Sequence, residues 1–160
     1  MPHITLIAHN IRSSHNVGAI FRTAEGFGVE RIILSGYTPY PTQVNDTRLP
    51  HISRKLTEQI HKTALGAESL VPFDHVENIK SWLTDRNIPL VALEQAETSI
   101  SIREYAPPEQ FALLLGEEVH GIEADLLNQC EAIVEIPMYG HKESFNVSVA
   151  TGIALYALSA

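Results

Sequence analysis

The chain has 160 residues and a net charge of −8, and 44% of its residues are hydrophobic. That length allows one domain with a sizeable core, and the hydrophobic share is typical of a folded globular protein. No apolar run approaches the roughly 20 residues that a membrane span needs, and the opening residues MPHITLIAHN do not resemble a signal peptide. Because Cys130 is the only cysteine, the chain cannot form an internal disulfide, and we expect a cytoplasmic protein.

The charge is distributed unevenly along the chain. Residues 1–62 hold seven basic and four acidic side chains, whereas residues 63–160 hold four basic and 15 acidic ones. A basic surface in the first third would suit a polyanionic partner such as nucleic acid, while the acidic remainder favours solubility. Charge also drifts by chance along any sequence, so this pattern alone leaves the partner open.

The hydrophobic pattern predicts alternating strands and helices. In chain order these are a strand at 3–10, a helix capped by Ser14 or Asn16, a strand at 30–36, a loop at 37–51, a helix at 53–68, a helix at 76–87, strands at 88–94 and 111–118, a helix at 121–130, a strand at 132–138 and a helix at 144–160. Because several strands are apolar throughout, we expect a single α/β domain over residues 1–160, with a mostly parallel sheet and helices on both faces.

Ligands of parallel sheets bind at the carboxyl ends of the strands, so the loops after Leu93, Leu115 and Ile136 are the expected site. The sequence has no phosphate-binding G-x-x-x-x-G-K-[ST] motif, and its eight histidines form no H-x-x-x-H pair. We therefore expect neither a P-loop nor a metal site.

Three stretches remain as candidates for chemistry. NVGAIFRTAEG (16–26) places Arg22 on a helix among glycine and alanine residues, which leave space around its side chain. LLLGEEVHGI (113–122) places Gly116 directly after a buried strand, where backbone groups can approach a ligand, although an ordinary turn would look the same. In IPMYGHKESFNVSVATGIALY (136–156), Ser144 is a candidate helix cap, and the Asn146 amide needs partners in a first turn expected to be buried.

These stretches, in this order, resemble the three motifs of the SpoU-type RNA ribose methyltransferases of the SPOUT superfamily, and KTALGAESLVP (62–72) resembles that family's linking segment. The resemblance implies a C-terminal trefoil knot that binds S-adenosylmethionine, and a homodimer with the first and last helices near the interface. It also implies methyl transfer to a ribose 2′-hydroxyl of RNA. The chain departs from the family pattern at RSSHN (12–16) and at Phe145, where leucine is common, and neither departure removes a presumed catalytic group.

The resemblance transfers two sets of roles to this chain. The implied catalytic residues are Arg22, Asn16, Glu117, Ser144 and Asn146, and the implied cofactor-binding residues are Leu93, Glu94, Gly116, Ile136, Met138, Ser144, Phe145 and Asn146. Because a guanidinium stays protonated, we expect Arg22 to clamp a phosphate and stabilise the developing oxyanion rather than act as a base. No metal is required.

The expected RNA is tRNA, with ribosomal RNA and help from a partner protein left open. A dimer that binds S-adenosylmethionine or RNA without catalysis, and a base nitrogen as methyl acceptor, remain alternatives. Arg22 could act in its own subunit or in its partner's.

Overall fold

The computed structural model describes all 160 residues. Its seven strands form one sheet in the order β3-β2-β1-β6-β4-β7-β5, and every neighbouring pair is parallel. The strands are β1 (His3–His9), β2 (Arg31–Ser35), β3 (Phe73–Val76), β4 (Leu90–Leu93), β5 (Ile100–Ser101), β6 (Gln110–Leu115) and β7 (Ala132–Glu135). The helices are α1 (Ser14–Gly26), α2 (Pro50–Ala64), α3 (Ile79–Asp85), α4 (Ala124–Leu127) and α5 (Val147–Leu158).

Helices cover both faces of the sheet. Alternate residues of β1 point to opposite sides, so Leu6 packs in a core with α1, α2 and α5, while Ile7 packs in a second core with α3 and α4. Both side chains are fully buried. The predicted parallel sheet with helices on both faces is therefore confirmed.

Two helices begin at caps that differ from the predicted ones. Ser13, rather than Ser14 or Asn16, caps α1, and its hydroxyl accepts a hydrogen bond from the Asn16 N–H at 3.2 Å. The final helix begins after Asn146 rather than at Ser144, because the Asn146 Oδ1 accepts hydrogen bonds from two N–H groups of the first turn.

The predicted helix at 53–68 is wrong at both ends. It begins at Pro50, which suits the first helical position because its missing N–H would have no partner there. It ends at Ala64 because Leu65 adopts the left-handed conformation, with φ of 52°, and Gly66 follows with φ of 102°.

The prediction missed two edge strands and overextended two helices. Residues 76–87 were expected to be helical, but β3 occupies Phe73–Val76 and α3 spans only Ile79–Asp85, capped by Asn78. The helix expected at 121–130 is a single turn, Ala124–Leu127. None of the helices combines the length and apolar character needed to cross a membrane.

Gly18 serves packing within the chain. A Cβ at this position would collide with the Thr63 hydroxyl and the Ile60 carbonyl of α2, so the glycine allows α1 and α2 to approach closely. The space that the sequence indicated beside Arg22 is therefore filled by α2 on the Gly18 side, whereas a Cβ at Gly26 would have no neighbour within 4 Å.

Candidate active site

A cavity of about 420 Å³ lies where β4, β6 and β7 end, and its volume is typical of small-molecule sites. Its lining comes from the loops that follow these strands and from the start of α5. Six of the residues expected to bind a cofactor line it, namely Leu93, Glu94, Gly116, Ile136, Ser144 and Phe145. Met138 and Asn146 do not belong to the lining.

The charge of the cavity favours a cation. Five glutamates contribute to the lining, Glu94, Glu117, Glu118, Glu135 and Glu143, and no lysine or arginine does. Carboxylates at this density attract a cationic ligand and repel a phosphate. The cavity is therefore poorly suited to a nucleotide with a phosphate tail and well suited to a small positively charged molecule with an apolar part.

Backbone donors around the cavity are available to a ligand. From Ile136 to Phe145, no N–H group donates a hydrogen bond to another backbone group, and neither does any from Gly116 to His120. The only side chain that bonds to the backbone of the first segment is Gln95, whose amide donates to the Glu143 carbonyl at 2.8 Å. A ligand in the cavity can thus be held by backbone groups of two loops.

Glu94 shapes the loop between β6 and α4. Its Oε1 accepts a hydrogen bond from the Gln95 N–H at 2.8 Å, and its Oε2 accepts one from the Ile122 N–H at 2.9 Å. Gly121, with φ of 69°, lies so close that an added Cβ would collide with Oε2. Gly116 lies equally close to Ile122. The two glycines therefore let this loop fold back over the carboxylate.

Three distant parts of the chain meet through a chain of hydrogen bonds beside the cavity. The Asn146 amide donates to Asn16 Oδ1 at 3.2 Å, and the Asn16 amide donates to Glu118 Oε1 at 3.2 Å. Asn146 Oδ1 simultaneously accepts from the Ser148 N–H at 2.9 Å. Each asparagine is therefore held in one orientation, and the starts of α1 and α5 are tied to the loop after β6.

The remaining predicted catalytic residues are placed differently. Glu117 lines the cavity, and its backbone carbonyl accepts from the Gly121 N–H, but it is Glu118 that bonds to Asn16. Ser144 lines the cavity and is exposed. Arg22 is exposed on α1, does not line the cavity and takes part in no ion pair.

Sequence reasoning missed Glu118. Two glutamates stand side by side in GEEVHG, and successive residues of a loop can point in opposite directions. No spacing rule indicates which of them faces a helix more than 100 positions earlier, so the contact became visible only in the folded chain.

Comparison with known proteins agrees with these observations. The model of the SpoU rRNA Methylase family matches residues 3–156. The chain belongs to this family. The resemblance of the three motifs to the SpoU-type methyltransferases is thereby confirmed.

Two curated SpoU-family relatives illustrate the similarity. The chain is 32% identical over 158 residues to the 23S rRNA (guanosine-2′-O-)-methyltransferase RlmB of Coxiella burnetii, covering 97% of this chain and 57% of that protein. It is 29% identical to a putative TrmH family tRNA/rRNA methyltransferase of Staphylococcus saprophyticus, covering 94% of this chain and 56% of that protein. The chain thus spans little more than half the length of these relatives.

Solved structures of the SpoU family share the fold. An AdoMet-bound rRNA methyltransferase from Sinorhizobium meliloti superposes with a TM-score of 0.79 at 23% identity, covering 97% of this chain and 55% of the other. The A. aeolicus TrmH/SpoU tRNA modifying enzyme superposes with a TM-score of 0.77 at 26% identity, covering 99% and 75%.

Proposed function

We propose that the chain is an S-adenosylmethionine-dependent methyltransferase that modifies a ribose 2′-hydroxyl of RNA, with residues 1–160 as its one catalytic domain and the cytoplasm as its location. The chain of hydrogen bonds from Asn146 through Asn16 to Glu118 carries the proposal, because it joins all three motifs beside one cavity. The names of the curated relatives support the same activity.

The residues of the cavity fit S-adenosylmethionine. Its sulfonium and ammonium groups are cations, which suits a lining with five glutamates and no basic side chain other than His120. Leu93, Ile136 and Phe145 offer apolar surface to the adenine, and the free N–H groups of 136–145 offer donors to its ring nitrogens. When bound, the cofactor supplies an electrophilic methyl group.

Asn16 and Asn146 are positioning residues in this proposal. Both amides have their orientation determined by neighbours, so their remaining hydrogen-bonding groups present a constant pattern at the edge of the cavity. Ser144 and Glu117 line the same cavity, which supports their proposed contact with the ribose and cofactor. The resemblance to the family also leads us to propose a trefoil knot in the segment that includes the 136–146 loop.

Arg22 is proposed to act on the partner's site. It follows Asn16 by six residues, which is about 9 Å along the axis of α1, and it does not line the cavity of its own chain. Its exposed side chain is free to meet a phosphate and the developing oxyanion in a neighbouring subunit.

The surface of α5 supports the homodimer that this arrangement requires. Val149 is 50% exposed and Tyr156 is 76% exposed, and they are seven residues apart, so they share one face of the helix. α5 also packs beside α1, because a Cβ added at Gly152 would be in van der Waals contact with the Thr23 methyl group. A second copy that covers the exposed face would bring its Arg22 near this cavity.

Mixed dimers test the assignment of Arg22 across the interface. Arg22→Ala has an intact cavity, and Gly116→Val has an intact arginine but a cavity blocked by collision with Ile122. We expect each variant alone to be inactive and a refolded equimolar mixture to recover about a quarter of the parental activity. Half of the dimers in the mixture contain one copy of each variant, and one of the two sites in each such dimer is complete. A mixture as inactive as its components would assign Arg22 to its own subunit's site.

The acceptor RNA has two candidates. The sequence favours tRNA, and the relative from Coxiella burnetii is named as a 23S rRNA guanosine methyltransferase, which favours ribosomal RNA. Incubating the protein with labelled S-adenosylmethionine and either bulk tRNA or bulk rRNA that lacks modification decides between them. Transfer to neither RNA would leave the non-catalytic binding protein as the better description.

A further inference from the structure

A second cavity, of about 440 Å³, lies at the carboxyl ends of β1 and β2 beside the start of α1. Its lining contains Arg12, Arg48 and His75 and no carboxylate, in contrast to the five glutamates of the first cavity. The two neighbouring cavities thus have opposite electrostatic character. Because Asp46 pairs with Arg48, the free cation of the second cavity is Arg12, which favours an anionic ligand there, whereas the first cavity disfavours one.

One wall of this second cavity is a stack of three planar groups. The Tyr40 ring lies 3.9 Å from the His75 ring at an interplanar angle of 15°, and the Arg48 guanidinium lies 3.5 Å from the Tyr40 centroid. Arg48 is held in place by Asp46 and by the carbonyls of Tyr40 and Pro41. The bound guanidinium holds the pKa of the Asp46 carboxyl well below its usual range.

Hydrogen bonds within the chain hold the rim of the second cavity in place. Asn10 has a positive φ of 54°, which is unusual for a residue other than glycine, and its Oδ1 accepts from the Tyr37 N–H at 3.1 Å. Thr38 donates its hydroxyl to the Ala8 carbonyl and accepts from the Ile11 N–H, both at 2.9 Å. The segments that carry Arg12 and Tyr37 are therefore tied together before any ligand arrives.

Two side chains on this rim have no role in holding the fold. The Tyr37 residue is 53% exposed. Arg12 is exposed, and none of the ion pairs of the chain involves it. An aromatic ring and a free guanidinium on a braced rim are the groups that bind unpaired bases and their phosphates.

The first turn of α1 connects the two cavities. Ser14 lines the second cavity and donates to Gln59, whereas Asn16 bonds to Glu118 of the first. Residues two positions apart are separated by about 3 Å along a helix axis. The two residues face different sides of the helix, so a polymer that occupies both cavities crosses the first turn of α1.

We propose that the second cavity is a docking subsite for an unpaired nucleotide of the RNA substrate next to the methylated one, with Tyr37 stacking on its base and Arg12 contacting its phosphate. The inference rests on the proposed RNA methyltransferase activity and extends it. It assigns phosphate binding to the first third of the chain, which carries the excess of basic residues.

The test separates binding of RNA from binding of cofactor. Tyr37→Ala, Tyr37→Phe and Arg12→Ala are compared with the parent for RNA affinity, using a labelled single-stranded oligoribonucleotide, and for KM and kcat with bulk tRNA and bulk rRNA. Lys80→Ala is the control, because Lys80 lies on α3 on the opposite face of the sheet. S-adenosylmethionine affinity and dimer mass are measured for every variant.

We expect Tyr37→Ala to weaken RNA binding and raise KM roughly 5- to 150-fold, the effect of losing one base–aromatic stack. Tyr37→Phe should keep most of the affinity because the ring remains. Arg12→Ala should reduce the slope of log affinity against log salt concentration by about 1. Cofactor affinity, kcat and the behaviour of Lys80→Ala should match the parent.

The outcomes distinguish the subsite from the activity on which it rests. A parent that methylates RNA, with Tyr37→Ala and Arg12→Ala at the parental KM, overturns the subsite alone. Loss of the dimer in these variants would assign the surface to a second copy of the chain and overturn the subsite as well. A parent that neither binds nor methylates any RNA overturns both proposals.

Discussion

Replacing Glu94 with glutamine is expected to weaken S-adenosylmethionine binding without unfolding the protein. The carboxylate accepts hydrogen bonds from the N–H groups of Gln95 and Ile122, one at each oxygen. Glutamine keeps the shape of the side chain but has only one accepting oxygen, so one of the two N–H groups would face an amide nitrogen. One of the two hydrogen bonds that hold the side chain between β4 and the loop after β6 would then be lost.

The magnitude follows from the bond that is lost. A hydrogen bond to a charged group contributes about 1.5–3 kcal/mol, which corresponds to roughly a 10- to 150-fold change in an equilibrium constant. If the cofactor binds only to the anchored loop, its affinity should fall by that factor. Isothermal titration calorimetry with S-adenosylmethionine measures the change directly, and thermal unfolding reports whether the fold is retained.

Two further variants make the result specific. Glu97→Gln removes an exposed carboxylate just after the same strand and should bind the cofactor like the parent. Gly121→Ala should weaken binding as Glu94→Gln does, because its Cβ would displace the Glu94 carboxylate. If Glu94→Gln binds S-adenosylmethionine within twofold of the parent, Glu94 does not control the shape of the cavity.

Three other predictions concern the helices and the ion pair between Arg48 and Asp46. Gly18→Ala should lower the free energy of unfolding by about 1–3 kcal/mol through collision with α2, whereas Gly26→Ala should raise it by about 0.5–1 kcal/mol. Thermal melts of the two variants check this, and equal shifts of their melting temperatures would show that Gly18 does not mediate packing. Asn146→Asp should keep the cap of α5 but lose the donor to Asn16, so the rate of methyl transfer should fall while the melting temperature stays at the parental value. Asn146→Ala should lower both the rate and the melting temperature. Parental activity in Asn146→Asp would show that the amide has no part in the mechanism. The hydrogen bond from Arg48 lowers the pKa of Asp46 in the folded protein. The interaction between Asp46 and Arg48 therefore contributes its full stability above the pKa of Asp46 in the unfolded chain, which is near 4. That contribution is lost as the pH falls through the lower pKa of the folded protein. Asp46→Asn should therefore be destabilised at pH 7, with a difference from the parent that narrows in acid, and a difference independent of pH would contradict this linkage.

The elements that the sequence predicted well are those whose burial is nearly complete. FALLL in β6 and LIA in β1 are apolar without interruption because both sides of a central parallel strand face a core. The run in β6 located one of the strand ends beside which the first cavity lies. β3 is half-exposed at the edge of the sheet, and β5 has only two residues, so neither has a pattern that distinguishes it from a loop.

The candidate site was predictable to the level of its loops but not of its contacts. The glycine and polar residues after β6 and β7 indicated where a ligand would bind, since strand ends are where such sites form. The partner of Asn16 depends on the direction of a side chain in a loop, which is determined by the turn at Gly121 and the anchor at Glu94. These are long-range contacts, and no local pattern encodes them.

We propose that this chain methylates a ribose 2′-hydroxyl and depends on Arg22 to do so. The most direct measurement is mass analysis of nucleosides from RNA incubated with S-adenosylmethionine and either the parent or Arg22→Ala. We expect a 2′-O-methylated nucleoside with the parent and a product reduced by about 100-fold or more with the variant, the usual effect of removing one group that stabilises an oxyanion. A base-methylated nucleoside, or equal product from both proteins, would contradict it.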